Sequence, residues 1–278
     1  MKLPKLRPSE RLLVWHFAYV AIVASFFPLG IRGPALLALG AFALLAGLAR
    51  PAFDSLRDWV PLGLTLVAYR EMDWFTPKVR DRHLENVWIL FDRRLLDEWR
   101  LRALIEGFGS AIPAILELSY LLVYAVGPVT VGILYFYRRR DLVSRALLCY
   151  LAGTLLAYAL FPYFPSEPPR TAFPYTDLPQ VITALRHFNL TLLGGYGIHS
   201  SVFPSAHVSS AFSAAWALLL LFPQKKWVGR SMLTYAVLVS IATVYGRYHY
   251  AFDALAGFGV SLTALVLAWN SRKTILID

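Results

Sequence analysis

Cysteine is almost absent from this chain, in which Cys149 is the only one among 278 residues. A single cysteine cannot form a disulfide within the chain or a CxxC metal site. Cys149 lies inside an apolar run, where packing is the simplest interpretation. No cluster of acidic ligands accompanies the histidines either, so the sequence predicts no bound metal and no cofactor.

A signal-peptide cleavage site is also lacking. The basic start, MKLPKLRPSER, precedes an apolar stretch without small residues suited to cleavage. We therefore expect it to be the cytoplasmic flank of a retained helix. Repeats and low-complexity tracts are absent too, and the sequence gives no sign of a second compact domain.

Apolar residues are abundant. Of the chain, 58% is hydrophobic and 15% aromatic, whereas soluble domains hold about 45 to 50% apolar residues. Since a span takes about 20 residues, this length predicts an all-α, polytopic membrane bundle of about six to eight transmembrane helices. Eight stretches fit, of which the third is short enough to be tilted or re-entrant. They lie near residues 11–29, 34–49, 58–70, 108–136, 144–164, 205–222, 231–246 and 251–269.

Basic residues are concentrated in the loops on one side of these spans, as in RRR at 138–140 and KK at 225–226. Because cytoplasmic loops carry an excess of Lys and Arg, both termini are expected in the cytoplasm. The net charge of +10 is then partly a topology signal and requires no nucleic acid partner. The lipid bilayer is the expected surrounding, and no particular oligomeric state is predicted.

Two stretches interrupt the apolar pattern. Residues 80–106 mix Leu, Ile, Trp and Phe with dense charge at near-helical spacing. This pattern fits either helices in the membrane interface or a solvated connector. Residues 163–204 are rich in Pro, Gly, Tyr and Ser and are expected to be irregular.

Polar residues stand at the ends of several predicted spans, all on the non-cytoplasmic side. They are Arg170, Ser205, His207, His249 and Asp253. His249 and Asp253 are four apart, so on a helix the carboxylate can hold one imidazole nitrogen and leave the other free to attack. Ser205 and His207 begin a helix, where unpaired N–H groups and the positive dipole end favour a phosphate.

This combination is suited to phosphoryl transfer through a phosphohistidine. One imidazole acts as the nucleophile and the other protonates the leaving oxygen. Arginines and N–H groups stabilise the charge on the phosphoryl oxygens. A lone intramembrane histidine is more often a hydrogen-bonded core residue, but two at helix ends favour function.

Two segments, FPSAH at 203–207 and VYGRYHYAFDALAG at 244–257, resemble the second and third signature motifs of the type 2 phosphatidic acid phosphatase superfamily. FPSEPPR at 164–170 is similar to the Pro-Pro-Arg segment of its inositol phosphorylceramide synthase-like branch. The resemblance implies a phosphatase-type catalytic transmembrane core in residues 108–278. Residues 1–107 would then supply N-terminal transmembrane helices and an interfacial segment.

The resemblance also implies roles for these residues in a metal-independent, membrane-embedded enzyme that acts on phosphorylated lipids. His249 would be the nucleophile, Asp253 its orienting partner and His207 the general acid. Ser205 and Arg170 would bind the phosphate.

The third motif departs from the family pattern, which usually has an arginine six residues before the nucleophile. Thr243 stands there instead. Arg247 is the candidate substitute for phosphate binding, but on a continuous helix it would point away from His249. It joins the site only if the helix breaks near Gly246. The family's first motif usually carries a lysine, and this chain has no counterpart of it. Both departures favour the synthase-like branch.

We therefore expect a lipid phosphatase/phosphotransferase with an extracytoplasmic active site, transferring a phospho group to a lipid hydroxyl or to water. The alternative is a plain phosphatidic acid or polyprenyl diphosphate phosphatase. A transporter or scramblase would have charges spread along several spans at mid-depth, whereas here they cluster at one level.

Overall fold

The computed structural model describes residues 5–28, 30–79 and 81–275, and every regular element in these ranges is helical. The predicted all-α fold is confirmed. Outside the described residues lie 1–4 and 80 of the predicted N-terminal region 1–107, and 276–278 of the predicted core region 108–278. Leu29, where the first predicted span ends, also lies outside them. The α-helices are α1 (Pro8–Ala24), α2 (Arg32–Leu48), α3 (Val60–Glu71), α4 (His83–Arg93), α5 (Leu101–Glu106), α6 (Ala111–Leu121), α7 (Val126–Phe136), α8 (Val143–Leu160), α9 (Pro169–Ala172), α10 (Ala184–Tyr196), α11 (Ala206–Leu221), α12 (Lys226–Tyr245) and α13 (Ala251–Ile275).

Within the described ranges, four helical stretches are long and apolar enough to cross a membrane. They are Ala111–Phe136, Arg140–Tyr163, Pro223–Tyr245 and Ala251–Asn270. Helices α2 and α11 are apolar but shorter. The chain is thus a helical membrane protein. The two remaining predicted spans, 11–29 and 58–70, correspond to α1 and α3.

The span predicted over residues 108–136 is not one continuous α-helix. A 3₁₀ turn, Leu122–Ala125, separates α6 from α7. Pro128 accounts for the interruption, since its ring would clash with the carbonyl of Tyr124 in a regular helix and it has no N–H to donate. The turn brings Tyr124 into the wall of the cavity described below.

Helix α11 is the centre of the bundle and packs against α8, α12 and α13. Small residues let the helices approach closely, as is usual in membranes. Ser209 Oγ donates a hydrogen bond to the carbonyl of Gly153 on α8 at 2.9 Å, and a Cβ at Gly153 would collide with Ser213. Helix α13 packs against both α8 and α11, so α11 and α13 lie side by side in the bundle.

The stretch 163–204 is more regular than the sequence suggested, because it contains the 13-residue helix α10. The Thr183 hydroxyl caps this helix by accepting a hydrogen bond from the Arg186 amide at 3.1 Å. Arg186 and Asn189 face the interior, whereas Phe188 is exposed. Apolar periodicity could not reveal a helix whose buried face is polar.

The charged segment before α6 is helical in the part that the structure describes. It forms α4, a π-helical turn over Arg94–Glu98, and α5. Helix α4 buries Glu85, Trp88, Ile89 and Asp92, which share one face, and packs against α9 and α13. This contact places α4 directly behind the turn that carries His249.

Candidate active site

A largely apolar cavity lies where the starts of α11 and α13 approach α3, the α6–α7 turn and α8. His207, His249 and Arg170 all line it. The structure therefore brings three of the predicted site residues together. Most of the remaining wall is apolar or aromatic and includes Leu62, Leu66, Tyr69, Tyr120, Tyr124 and Tyr158.

His249 lies in the turn between α12 and α13, and its free ring nitrogen can be identified. Nδ1 is 2.9 Å from the Val202 carbonyl oxygen and 3.3 Å from Asp253 Oδ2. Since a carbonyl only accepts, Nδ1 carries the hydrogen, and Nε2 keeps its lone pair. Burial, and then the positive charge of Arg170, lowers the pKa of His249 to about 3. The imidazole is therefore unprotonated at neutral pH, as a nucleophile requires.

Asp253 connects His249 to the start of α13. It is fully buried, and its Oδ2 also accepts a hydrogen bond from the Tyr250 amide at 2.9 Å. This bond satisfies an N–H that the helix itself leaves unpaired. The Asp253 carbonyl accepts a hydrogen bond from the Ser205 amide at 2.9 Å. A Cβ at Gly257 would collide with the Ser205 carbonyl, so the close approach of the two motifs requires glycine there.

Ser205 itself does not line the cavity. It is the N-cap of α11, fully buried, and its hydroxyl accepts a hydrogen bond from the Val208 amide at 3.4 Å. Ala206 and His207, which follow it, do line the cavity. The structure thus places the start of α11, rather than the Ser205 side chain, next to the histidines.

His207 lies close to His249, and both line the cavity. Their ring centroids are 5.5 Å apart and the rings are nearly perpendicular, at 83°. The Tyr120 hydroxyl lies 3.4 Å from His207 Nε2, and the ring of Tyr124 packs edge-on against the imidazole. The two histidines are close enough to act on opposite sides of one phosphoester bond.

Arg170 and Arg247 occupy different environments. Arg170 lies over the ring of Tyr248, with its Cζ 5.5 Å from the ring centroid, and lines the cavity. The break near Gly246 exists, since α12 ends at Tyr245 and Arg247 has a left-handed φ of 62°. Such a conformation costs a non-glycine residue about 1–2 kcal/mol.

The break does not bring Arg247 into the cavity wall. Its side chain is buried, and its Nη1 donates a hydrogen bond to Asp92 Oδ2 at 2.6 Å. No sequence pattern distinguishes Asp92 from the other acids of the charged segment. Arg170 is thus the arginine that the structure places beside the histidines.

A buried polar network that sequence reasoning missed supports the turn that carries His249. Arg186 Nη1 donates to Glu117 Oε1 at 2.9 Å and to the Gly246 carbonyl at 3.1 Å. Asn189 Nδ2 and the Tyr248 hydroxyl donate to Glu117 Oε2 at 2.7 and 2.6 Å. The three-residue spacing of Arg186 and Asn189 was the available signal, but it lay in a stretch expected to be irregular.

No group of three or more His, Cys, Asp or Glu side chains is arranged to hold a metal ion within residues 5–28, 30–79 and 81–270. Near the cavity, His249 and Asp253 are bonded to each other and to main-chain atoms. Independence from metals stays a prediction for which a test is given below.

A family model described as the PAP2 superfamily matches residues 90–267. The match begins within α4 and includes Arg170 and both histidine motifs, whereas α1, α2 and α3 precede it. No curated protein and no solved structure matches the chain significantly.

Proposed function

This chain belongs to the PAP2 superfamily, and from that premise we propose that it is a lipid phosphatase/phosphotransferase working through a phosphohistidine at His249. Membership supports a phosphatase-type lipid enzyme. The observation that carries the finer proposal is the shared cavity, in which two histidines and an arginine meet largely apolar walls. Such a cavity suits a substrate with a phosphorylated head and a hydrocarbon chain.

In the first step, the lone pair on His249 Nε2 attacks phosphorus and the bond from phosphorus to the leaving oxygen breaks. His207 enters this step as the imidazolium, gives one proton to that oxygen and becomes neutral. The Val202 carbonyl and Asp253 hold Nδ1–H and stabilise the positive charge that the imidazole acquires. Arg170 is suited to bind the phosphoryl oxygens by its guanidinium fork.

In the second step, a hydroxyl group loses its proton to His207 and attacks the phosphorus atom. The bond between phosphorus and His249 Nε2 breaks, and both histidines return to their starting states. Water as the acceptor gives hydrolysis. A lipid alcohol as the acceptor gives transfer.

We expect the hydrocarbon chain of the substrate to lie in the apolar part of the cavity. Leu66 and Tyr124 both line this part, yet they are 61% and 39% exposed, so the cavity opens sideways between α3 and the α6–α7 turn. In a membrane, such an opening faces lipid. A lipid substrate could therefore reach the histidines without leaving the bilayer.

Transfer to a lipid hydroxyl, as in the inositol phosphorylceramide synthase-like branch, is the version we favour. Its support is the Pro-Pro-Arg segment, whose Arg170 lines the cavity, together with Thr243 at the usual arginine position. Hydrolysis of phosphatidic acid or a polyprenyl diphosphate uses the same groups and differs only in leaving group and acceptor.

We further propose that the site faces the extracytoplasmic side and that both termini are cytoplasmic. The basis is the excess of Lys and Arg in the opposite loops. Tyr175 is exposed just after α9, the helix that carries Arg170, and Lys226 is exposed at the start of α12. In intact cells, Tyr175→Cys should react with an impermeant maleimide, and Lys226→Cys only after permeabilisation. The reverse pattern would place the site in the cytoplasm.

The activity is tested by incubating purified protein with phosphatidic acid, polyprenyl diphosphates and phosphatidylinositol, each with and without ceramide or diacylglycerol. Free phosphate and new phospholipids are measured together. New phospholipid that depends on the added alcohol supports transfer, whereas free phosphate alone supports the plain phosphatase. No turnover of any of these lipids would contradict the proposal.

A further inference from the structure

One carboxylate of α4 bonds to the chain on both sides of His249. Asp92 Oδ2 accepts a hydrogen bond from Arg247 Nη1 at 2.6 Å, and Asp92 Oδ1 accepts one from the Ala251 amide at 2.9 Å. Arg247 precedes His249 by two residues, and Ala251 follows it by two. The side chains of Asp92 and Arg247 are only 0% and 1% exposed. This single carboxylate therefore clamps the turn that carries His249.

The same turn also holds the backbone of Arg170. The Arg247 carbonyl accepts a hydrogen bond from the Arg170 amide at 3.2 Å. Arg247 is thus fixed at its side chain by Asp92 and at its carbonyl by Arg170. A movement of Arg247 would displace both the arginine and the histidine that line the cavity.

Arg247 and Arg170 also differ in how their positive charges are balanced. A buried guanidinium and a buried carboxylate are stable chiefly as a hydrogen-bonded pair. The charge of Arg247 is therefore balanced by Asp92 inside the protein. Arg170 is left to supply positive charge to the cavity, whose wall includes neither Asp92 nor Arg247.

We propose that Asp92 is a positioning residue, which fixes His249 relative to Arg170 through its bonds to Arg247 and Ala251. Arg247 then serves the geometry of the turn rather than contacting the phosphate. This inference rests on the proposed function, because it takes the roles of His249 and Arg170 from it.

The first test is Asp92→Asn, which keeps an acceptor for the Ala251 amide but removes the charge that holds Arg247. We expect kcat per folded molecule to fall by about 10², since a misplacement of about 1 Å can cost that much. KM should change less than kcat, because the apolar part of the cavity wall, which we expect to hold the hydrocarbon chain, is far from Arg247 in the sequence and keeps its own contacts. Folded protein is quantified by size exclusion and thermal unfolding.

The matched control is Asp177→Asn. Asp177 pairs with Arg93, also on α4, at 3.0 Å, and Arg93 is 41% exposed at its side chain. Solvent reaches Arg93 although Asp177 is buried, so this pair is screened more than the fully buried pair of Asp92 and Arg247, and this variant should keep the wild-type kcat. An equal loss of kcat in both variants would mean that any disturbance of α4 lowers activity. That result would contradict a specific role for Asp92.

The conservative variant Asp92→Glu keeps the ion pair but moves the carboxylate along by one methylene. A positioning role predicts a kcat between those of wild type and Asp92→Asn, again with a smaller change in KM. A merely structural role predicts fewer folded molecules, each with the wild-type kcat, and that result would overturn the proposal. Should Asp92→Asn not fold, Asp92→Glu against wild type gives the same decision.

A second readout needs no lipid substrate. Diethyl pyrocarbonate modifies unprotonated imidazoles, and mass spectrometry reports the rate at His249. Loosening the turn should raise this rate in Asp92→Asn and not in Asp177→Asn. If the wild type turns over no lipid but labelling responds in this way, the proposed function fails and the positioning of His249 by Asp92 stands. If lipid is turned over and neither kcat nor labelling responds to Asp92→Asn, the positioning role fails and the proposed function stands.

Discussion

The part of the chain matched by the family, residues 90–267, and the part before it contribute differently to one cavity. His207, His249 and Arg170 come from the matched part. The preceding part contributes one face of α3, from Leu62 to Tyr69, which carries no charged group into the cavity. The matched part thus supplies the two histidines and Arg170, whereas a helix outside the match shapes the space beside them.

An ion-pair cluster at the far end of α3 ties the two parts together. Asp58, just before α3, accepts hydrogen bonds from Arg140 Nε at 2.7 Å and from the Tyr135 hydroxyl at 2.6 Å. Arg57 pairs with Glu10 of α1 at 2.7 Å. Helix α3 is therefore fixed to the core at one end, so substitutions on its cavity face should alter the cavity without releasing the helix.

The largest effect is expected at the proposed nucleophile. His249→Ala should abolish turnover and any acid-labile phosphoprotein, because the lone pair on His249 Nε2 is the one proposed to form the covalent bond to phosphorus. His187→Ala, at an exposed histidine of α10, is the control and should behave as wild type. Turnover and radiolabelled phosphate retained on the protein are measured. Wild-type turnover in His249→Ala would refute the mechanism.

The next effect is expected at Arg170. Arg170→Lys should lower kcat/KM by about 10² with the fold intact, as for other groups that stabilise transition-state charge. Lysine keeps the charge but loses the two-pronged contact with phosphoryl oxygens. Arg93→Lys, at a half-exposed ion pair, is the matched control. Equal rates for Arg170→Lys and wild type would mean that other groups hold the phosphate.

A smaller, selective effect is expected in the preceding part. Gly63 lines the cavity, and a Cβ built there meets no atom within 4 Å. Gly63→Trp should lower kcat/KM for a long-chain phospholipid by about tenfold or more, as changes in an apolar pocket do. A short-chain phosphate ester should be turned over as before. Gly40→Trp on α2, where a Cβ is equally unobstructed, is the control. Equal losses of kcat/KM for both substrates would mean that α3 does not recognise the hydrocarbon chain of the substrate.

The smallest effect is expected from chelation. EDTA should leave turnover nearly unchanged, since the sequence predicts no metal among the reacting groups. Turnover is compared before and after dialysis against EDTA, with Mg²⁺ or Zn²⁺ added back. A rate that collapses on dialysis and returns with the metal would require a different mechanism for the matched part.

Local sequence patterns predicted contacts between residues that are close in the sequence. They did not predict contacts between residues that are far apart in the sequence. The four-residue spacing of His249 and Asp253 anticipated their contact, and Gly246 anticipated the end of α12. The nearer partner of His249, the Val202 carbonyl, lies 47 residues away in sequence, and no side chain marks it. Asp92 and Arg247 are likewise distant in sequence, so their pairing became visible only in the fold.

The hydrogen bond from the Ser205 amide to the Asp253 carbonyl makes the two halves of the site a single mechanical unit. That amide can exchange its hydrogen with solvent only when the starts of α11 and α13 separate. Its exchange rate therefore measures how often the site comes apart, with no substrate needed. If substrates enter sideways between α3 and the α6–α7 turn, this amide should stay protected during turnover, because the moving parts lie elsewhere.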